Sequence, residues 1–350
     1  MLMRRILTVL IVVVIGLLVT MNLIGDRTET PQKQDDQPEA PETPEESTEE
    51  PDLTLPEEEE YVSPSRYSKI PDDLIKILPE DDLNPPVSES DEYYDPVPVP
   101  GLVNTPGGED SSFILPNGDT LYFFFTPDVG VPVERQIVDE VTGIYKSTLI
   151  GGEWSESARV LLQDSDKLAL DGCEVVVGDT MYFCSAREGY TGLHWFKAEL
   201  KDDKWINWVC VDDWMKTFEY EVGELHFSAD LKTLYFHSSR GGGKGGYDIW
   251  VSLWENGEWG YPVNLENVNS MGNDGWPCLS PDETELWFSR DYGVWRSKLV
   301  DNEWSMPERM FFPLAGEPTV DSEGNVYFTH HFFDGDVMLE ADIYVAYKKT

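Results

Sequence analysis

The stretch Leu234-Tyr-Phe-His-Ser-Ser-Arg240-Gly-Gly-Gly-Lys-Gly-Gly-Tyr247-Asp-Ile-Trp250 decides the fold. An apolar residue, an aromatic and Phe236 run into a glycine-rich bend, and a second aromatic run follows. Aromatic and β-branched residues bounded by glycine are the composition of two short strands joined by a tight connection. The first run recurs as Leu121-Tyr122-Phe123, Met181-Tyr182-Phe183, Leu286-Trp287-Phe288 and Val326-Tyr327-Phe328, so five copies lie 60, 53, 52 and 40 residues apart. Self-similarity at this spacing marks a repeat architecture.

The residues around each copy repeat in phase with it. A polar turn precedes it, as in Pro116-Asn117-Gly118-Asp119 and Ser280-Pro281-Asp282, which suits a hairpin entering the strand. A second aromatic strand follows, as in Tyr247-Asp-Ile-Trp250, Tyr292-Gly-Val-Trp295 and Ala341-Asp-Ile-Tyr344. Next comes a turn with tryptophan at Trp154, Trp205, Trp259 and Trp304. Each unit thus offers four short strands, which is one blade of a β-propeller. The last unit stops at Thr350 without its tryptophan turn. Pro96 to Asn104 resembles Tyr261 to Asn269 and is predicted to supply the missing strand, closing the ring and covering its edges. The fold is therefore predicted to be all-β: a single propeller over residues 96–350 with five blades of four antiparallel strands, or six if one unit has degenerated.

Leu234 to Trp250, followed by Trp259 and Pro262-Val-Asn-Leu265, resembles the WD-repeat-like propeller units of TolB-type proteins, and Trp276 to Arg290 fits the same pattern. Blade 2 departs from it, with Leu193-His-Trp195 in place of Asp-Ile-Trp, and blade 1 carries an insertion at Asp128 to Val141. The resemblance implies an extracytoplasmic propeller that mediates protein contacts or envelope binding. It implies no catalysis.

Upstream, Arg4 and Arg5 precede Ile6 to Ile24, an apolar run of 19 residues, close to the roughly 20 that span a bilayer as a helix. Residues 1–25 read as a transmembrane signal-anchor with its N-terminus cytoplasmic; a cleaved signal peptide, and hence a secreted protein, is the alternative. Residues 26–60 are rich in Pro and Glu, with little to bury, and are expected to be a disordered acidic linker. Residues 61–95 read as a transitional segment with a short helix at Asp72 to Leu78. Net charge is −42, from 67 acidic and 25 basic residues, which excludes nucleic acid as a natural partner. The Arg240–Gly246 run lacks the ending and the helix of a phosphate loop, so no nucleotide is expected. Cys173, Cys184, Cys210 and Cys278 match no zinc spacing. A hairpin turning at Gly178-Asp179 would set Cys173 opposite Cys184, as a disulfide or as two buried thiols.

An acid stands near the start of each blade: Glu109 or Asp110, Glu174, Glu224, Asp274 and Glu317. Innermost strands border the axis, so these acids are expected to converge on one binding mouth. Two axial carboxylates are what a glycoside hydrolase uses, and Glu109, Glu224 and Asp274 are the catalytic candidates on that alternative. As structural groups they would accept hydrogen bonds between blades, or bind water or calcium; no other cofactor is indicated. His330 and His331 alternate on one strand and should face opposite ways. Trp208, Trp214, Trp254 and Trp276 are candidates for stacking on a sugar or peptide. The function these features suggest is a noncatalytic protein- or glycan-binding module of the cell envelope, with a carbohydrate-active enzyme as the alternative.

Overall fold

The computed structural model describes residues 63–164, 166–215 and 222–350. The expected anchor and linker lie outside them, and among the described residues no helix is long and apolar enough to cross a membrane. These residues are almost entirely β-sheet. Two short strands, β1 (Val87–Ser88) and β2 (Val97–Pro98), precede five antiparallel meanders. The first comprises β3 (Gly108–Ile114), β4 (Thr120–Thr126), β5 (Gly143–Ile150), β6 (Glu153–Trp154) and β7 (Ala158–Arg159). The second comprises β8 (Ala169–Val177), β9 (Thr180–Arg187), β10 (His194–Lys201) and β11 (Lys204–Cys210). The third comprises β12 (Leu225–Phe227), β13 (Thr233–Ser238), β14 (Asp248–Glu255), β15 (Glu258–Trp259) and β16 (Val263–Asn264). The fourth comprises β17 (Asp274–Leu279), β18 (Glu285–Arg290), β19 (Gly293–Val300), β20 (Glu303–Trp304) and β21 (Glu308–Phe312). The fifth comprises β22 (Ala315–Val320), β23 (Val326–Asp334) and β24 (Val337–Ala346).

The fifth meander takes its outer strand from the other end of the chain. Val97 pairs with Val345 and Pro98 with Tyr344, where the likeness of residues 96–104 to 261–269 places them. The five repeated anchors each form a second strand, β4, β9, β13, β18 and β23. Each opening strand lies beside the opening strands of the next and previous meanders: β3 by β8, β8 by β12, β12 by β17, β17 by β22, and β22 by β3.

The apolar residues occupy the seams between consecutive sheets. Tyr122 and Phe113 share a cluster with Tyr182 and Phe227, Tyr235 and Ile249 with Leu286, Trp287 and Phe311 with Phe328, and Tyr327 and Ile343 with Phe123. No single sheet could shield these faces alone. Three of the four turn tryptophans lock the seams by reaching the anchor aromatic of the preceding unit: Trp154 meets Tyr327, Trp205 meets Tyr122, and Trp304 meets Tyr235, all edge-on at 6.3–6.4 Å between ring centres. Such contacts add about 0.5–1.5 kcal/mol each beyond burial.

Residues 63–95 differ from expectation. Asp72–Leu78 forms no helix, only a turn at Asp72-Asp73. The segment is a strap across the ring. Arg66 is buried against the first meander beside Glu109, Lys76 pairs with Glu340 and Asp342 of β24, and Asp82 meets His330 at 2.9 Å. Then β1 adds an edge to β21, and Tyr93 enters the core against Trp287 and Phe311. The thiols of Cys173 and Cys184 are free. The hairpin does turn at Gly178-Asp179, but a bulge makes Gly172 the partner of Cys184 and displaces Cys173.

Candidate functional site

Four of the five opening strands break register at the same place. The pairing skips between Asp110 and Phe113, Gly172 and Val175, Gly275 and Cys278, and Gly316 and Thr319. Each skip sets two residues opposite one, and the first of each pair, Ser111, Cys173, Trp276 or Glu317, has φ between 49° and 57°. Bulges of this kind re-aim side chains and are typical next to functional sites. The strand β12 has none and enters directly from Glu224.

This geometry sorts the acids into two sets. Those before the bulge are answered by arginine. Glu109 meets Arg66 at 3.2 Å and accepts from Thr105 N–H and Oγ1 at 2.9 and 2.6 Å. Asp274 is bonded by Arg290 and by Ser270 N–H and Oγ at 2.7 and 2.8 Å. Asp171, which the sequence reading passed over, meets Arg187 at 2.7 Å. The structure thus takes Glu109 and Asp274 out of the group they were expected to form with Glu224.

Glu174 and Glu317 at their bulges, and Glu224 just before β12, turn onto the axis. Glu174, Glu224 and Glu317 line one cavity of about 40 Å³, together with Ser111, Trp276 and Pro318, which is room for a few waters or one ion. Burial, and then repulsion from Glu224 and Asp110, pushes the Glu174 carboxyl well above its ordinary range. Burial and then Asp110 do the same to Glu317. Glu224 is pushed up to about 7 by burial, with Asp110 adding to it. Asp110 lies next to this group, since Ser111 N–H donates both to Asp110 Oδ1 and to Glu317 Oε2 at 2.9 Å. His331 Nε2 is 3.9 Å from Asp110 Oδ1, and burial lowers its pKa, so the ring is neutral. His330 points the other way, to Asp82, as the alternation predicts.

Above Glu317 and His331 opens a pocket whose walls are Tyr247, Trp276 and Tyr292, with Asn273, Arg290 and Asp291 between them. Trp276 is held from behind. Its N–H donates to His237 Nδ1 at 3.2 Å and its ring lies 4.9 Å from the imidazole; burial lowers the His237 pKa to about 3, which keeps that nitrogen an acceptor. The other end of the axis widens to a cavity of about 440 Å³ walled by Phe113, Leu115, Val177 and Leu279, with Asn117, His226, Ser280 and Glu283 among them. Of the other tryptophans, Trp254 stacks edge-on with Trp259 in the core, Trp208 is partly buried against it, and the Trp214 side chain lies outside the described residues. His194, Cys210 and Asp212 gather on the second meander, but burial, and then Asp212, raise the Cys210 pKa, so it is no thiolate nucleophile. Sequence reasoning missed Asp171 and the pairing of His331 with Asp110, which it named only as the alternative to Glu109.

No protein-family model matches the chain, and no curated protein does. Solved structures similar to it include a xylan β-1,4-xylosidase from Bacillus halodurans C-125, at 13% identity over 71% of this chain and 54% of that one, with a TM-score of 0.43. An endo-arabinase from Bacteroides thetaiotaomicron VPI-5482 matches at 11% identity over 73% and 96%, TM-score 0.43. A putative TolB from Agrobacterium tumefaciens matches at 14% over 70% and 92%, TM-score 0.35. The chain spans about half the length of the xylosidase. Likenesses this distant say nothing about chemistry.

Proposed function

We propose that the chain is a membrane-tethered, five-bladed β-propeller of TolB-type repeats, displayed outside the cytoplasm by residues 1–25 and the acidic spacer 26–60, and that it binds a glycan of the cell envelope without turning it over. The succession of five meanders around a closed ring of opening strands supports the propeller. The observation that carries the binding reading is the axial pocket: three aromatic walls with amide, carboxylate and guanidinium groups set between them. Sugar rings offer apolar faces to aromatics and hydroxyls to such polar groups. A protein ligand is the other member of this class, and a concave pocket favours the glycan over it. The pairing of Glu109 with Arg66 and of Asp274 with Arg290 weighs against catalysis by those two. The test is a glycan-binding screen with the purified full chain, followed by calorimetry on the best hit. Trp276→Ala should weaken binding by about 30-fold, as loss of a buried aromatic anchor worth some 2 kcal/mol does. No glycan bound, or unchanged affinity in the variant, rejects the reading.

One observation favours a carbohydrate-active enzyme instead. Glu317 lies on the floor of the pocket, and burial, then Asp110, pushes its carboxyl well above the ordinary range, the direction a general acid needs. Turnover of aryl glycosides that Glu317→Gln abolishes and Glu109→Gln spares would establish this second reading.

A further inference from the structure

We propose a divalent-cation site on the axis, ligated by Asp110, Glu317 and His331 and closed by Glu174 and Glu224. The three ligand atoms come from β3, β22 and β23, all three residues are buried, and the atoms lie within 4.8 Å of one another. One ion at the usual 2.0–2.6 Å from its ligands spans such separations.

An independent observation points to a ligand. Both carboxylate oxygens of Glu174, Oε1 of Glu224 and Nδ1 of His331 are buried with no hydrogen-bond partner among the described residues. Glu174 is 5% exposed and lines the same cavity as Glu317 and Glu224. Buried polar atoms are satisfied in nearly all native proteins, so each orphan needs a reason. Four acids crowded on one axis, with only a neutral imidazole beside them, is an arrangement that a cation relieves twice: it supplies the missing partner and it cancels the mutual repulsion. Five other buried acids, Glu109, Asp171, Asp274, Glu340 and Asp342, are answered by Arg66, Arg187, Arg290 and Lys76, but none of these cations is paired with the axial group.

The ligand types select the ion. Carboxylates alone suit calcium or magnesium, whereas imidazole suits later first-row metals. A set of two carboxylates and one neutral imidazole therefore fits Mn²⁺ or Zn²⁺ better than Ca²⁺. Carboxylate and imidazole bind a metal only in their deprotonated forms, so affinity should rise with pH. The site stands whether or not the pocket above it takes a glycan.

The experiment uses the full chain stripped with chelator and titrated separately with Mn²⁺, Zn²⁺ and Ca²⁺ by calorimetry and thermal unfolding. The expected result is one equivalent of Mn²⁺ or Zn²⁺ bound, at least about tenfold tighter than Ca²⁺, with proton release and a raised Tm. Glu317→Gln should raise the Tm of the metal-free protein, by removing a repelling carboxyl, and abolish the metal-dependent rise. Asp110→Asn is the second variant should Glu317→Gln fail to fold, and it should behave alike. Absence of binding by all three ions, or wild-type binding in a folded variant, overturns the site. Tightest binding of Ca²⁺ overturns the assignment of the ion.

Discussion

Replacing Arg66 with methionine isolates what the strap contributes to the ring. Arg66 is 1% exposed and Glu109 fully buried. Its guanidinium donates to Glu109, to Val103 O at 2.8 Å and to Leu102 O, and lies 5.5–5.9 Å from the rings of Phe125, Phe123 and Tyr145. Methionine keeps much of the packing but leaves a buried carboxyl and two carbonyls unanswered. Breaking a buried pair from one side costs about 3–5 kcal/mol, roughly 10 °C in Tm for a domain of this size. The cost should depend on pH. Burial already holds the Glu109 carboxyl at about 7 with Arg66 beside it, and loss of the cation raises it further. At pH 5.5 the acid is neutral in both proteins, so only the orphaned carbonyls count, about 1–3 kcal/mol. At pH 8 the variant must also hold a proton against the solvent, and the deficit is larger. Urea unfolding at both pH values, with Arg66→Met, Glu109→Gln and the double variant, measures it. Additive single losses, or a deficit equal at pH 5.5 and 8, would refute the reasoning.

The axial acids set the pH dependence of the metal-free protein. Glu224 has a folded pKa of about 7 against 4.5 in the open chain, so its stabilising contribution is full below 4.5 and is lost as pH rises through about 7. Stability in chelator should therefore fall between pH 5 and 8, by up to about 3 kcal/mol from this group, and Glu224→Gln should flatten that part of the profile; a profile that rises over this range contradicts the burial. Thiol titration without reductant should find one reactive group in the native protein, Cys210, which is the exposed cysteine, and all four after denaturation. Two groups missing after denaturation would mean a disulfide and a different arrangement of β8 and β9.

What the chain disclosed in advance was whatever repeats. The anchors, the turn tryptophans and the closing strand at Val97-Pro98 were legible because each unit must present the same faces to its neighbours. The strap was not, because it occurs once. Asp72 to Leu78 has acids at its start and apolar residues at helical spacing, but seven residues between Pro71 and Pro79 are too few to hold a helix without packing. The Ile77 N–H is taken instead by Glu340, 263 positions away. In the site, an acid near the start of each blade was visible, and the bulges that sort these acids were not. The bulges are Ser111-Ser112, Cys173-Glu174, Trp276-Pro277 and Glu317-Pro318; no residue type is common to all four, so no motif announces them. His331 was judged against His330, its neighbour in sequence, when its partner is Asp110, more than two hundred residues earlier.

The contrast between the two sets of acids bears on function more than either set alone. Glu109, Asp171 and Asp274 are buried, and each has an arginine within reach. The fold is therefore able to neutralise a buried carboxylate at this level of the ring, and does so in three of its units. Three residues beyond Asp171 on β8, at Glu174, and at Glu317 on β22, it does not. Apolar side chains there would close the axis at lower cost, as Cys278 and Val175 do one step beyond. Rules of packing broken at one place and kept everywhere around it are what a functional site leaves in a structure. The left-handed backbone at Ser111, Cys173, Trp276 and Glu317 is a second cost at the same level. Cys173 apart, both costs fall on residues that line the aromatic pocket or the cavity beneath it, so the axis at the bulges, rather than the wide mouth at its other end, is where ligand chemistry should be sought.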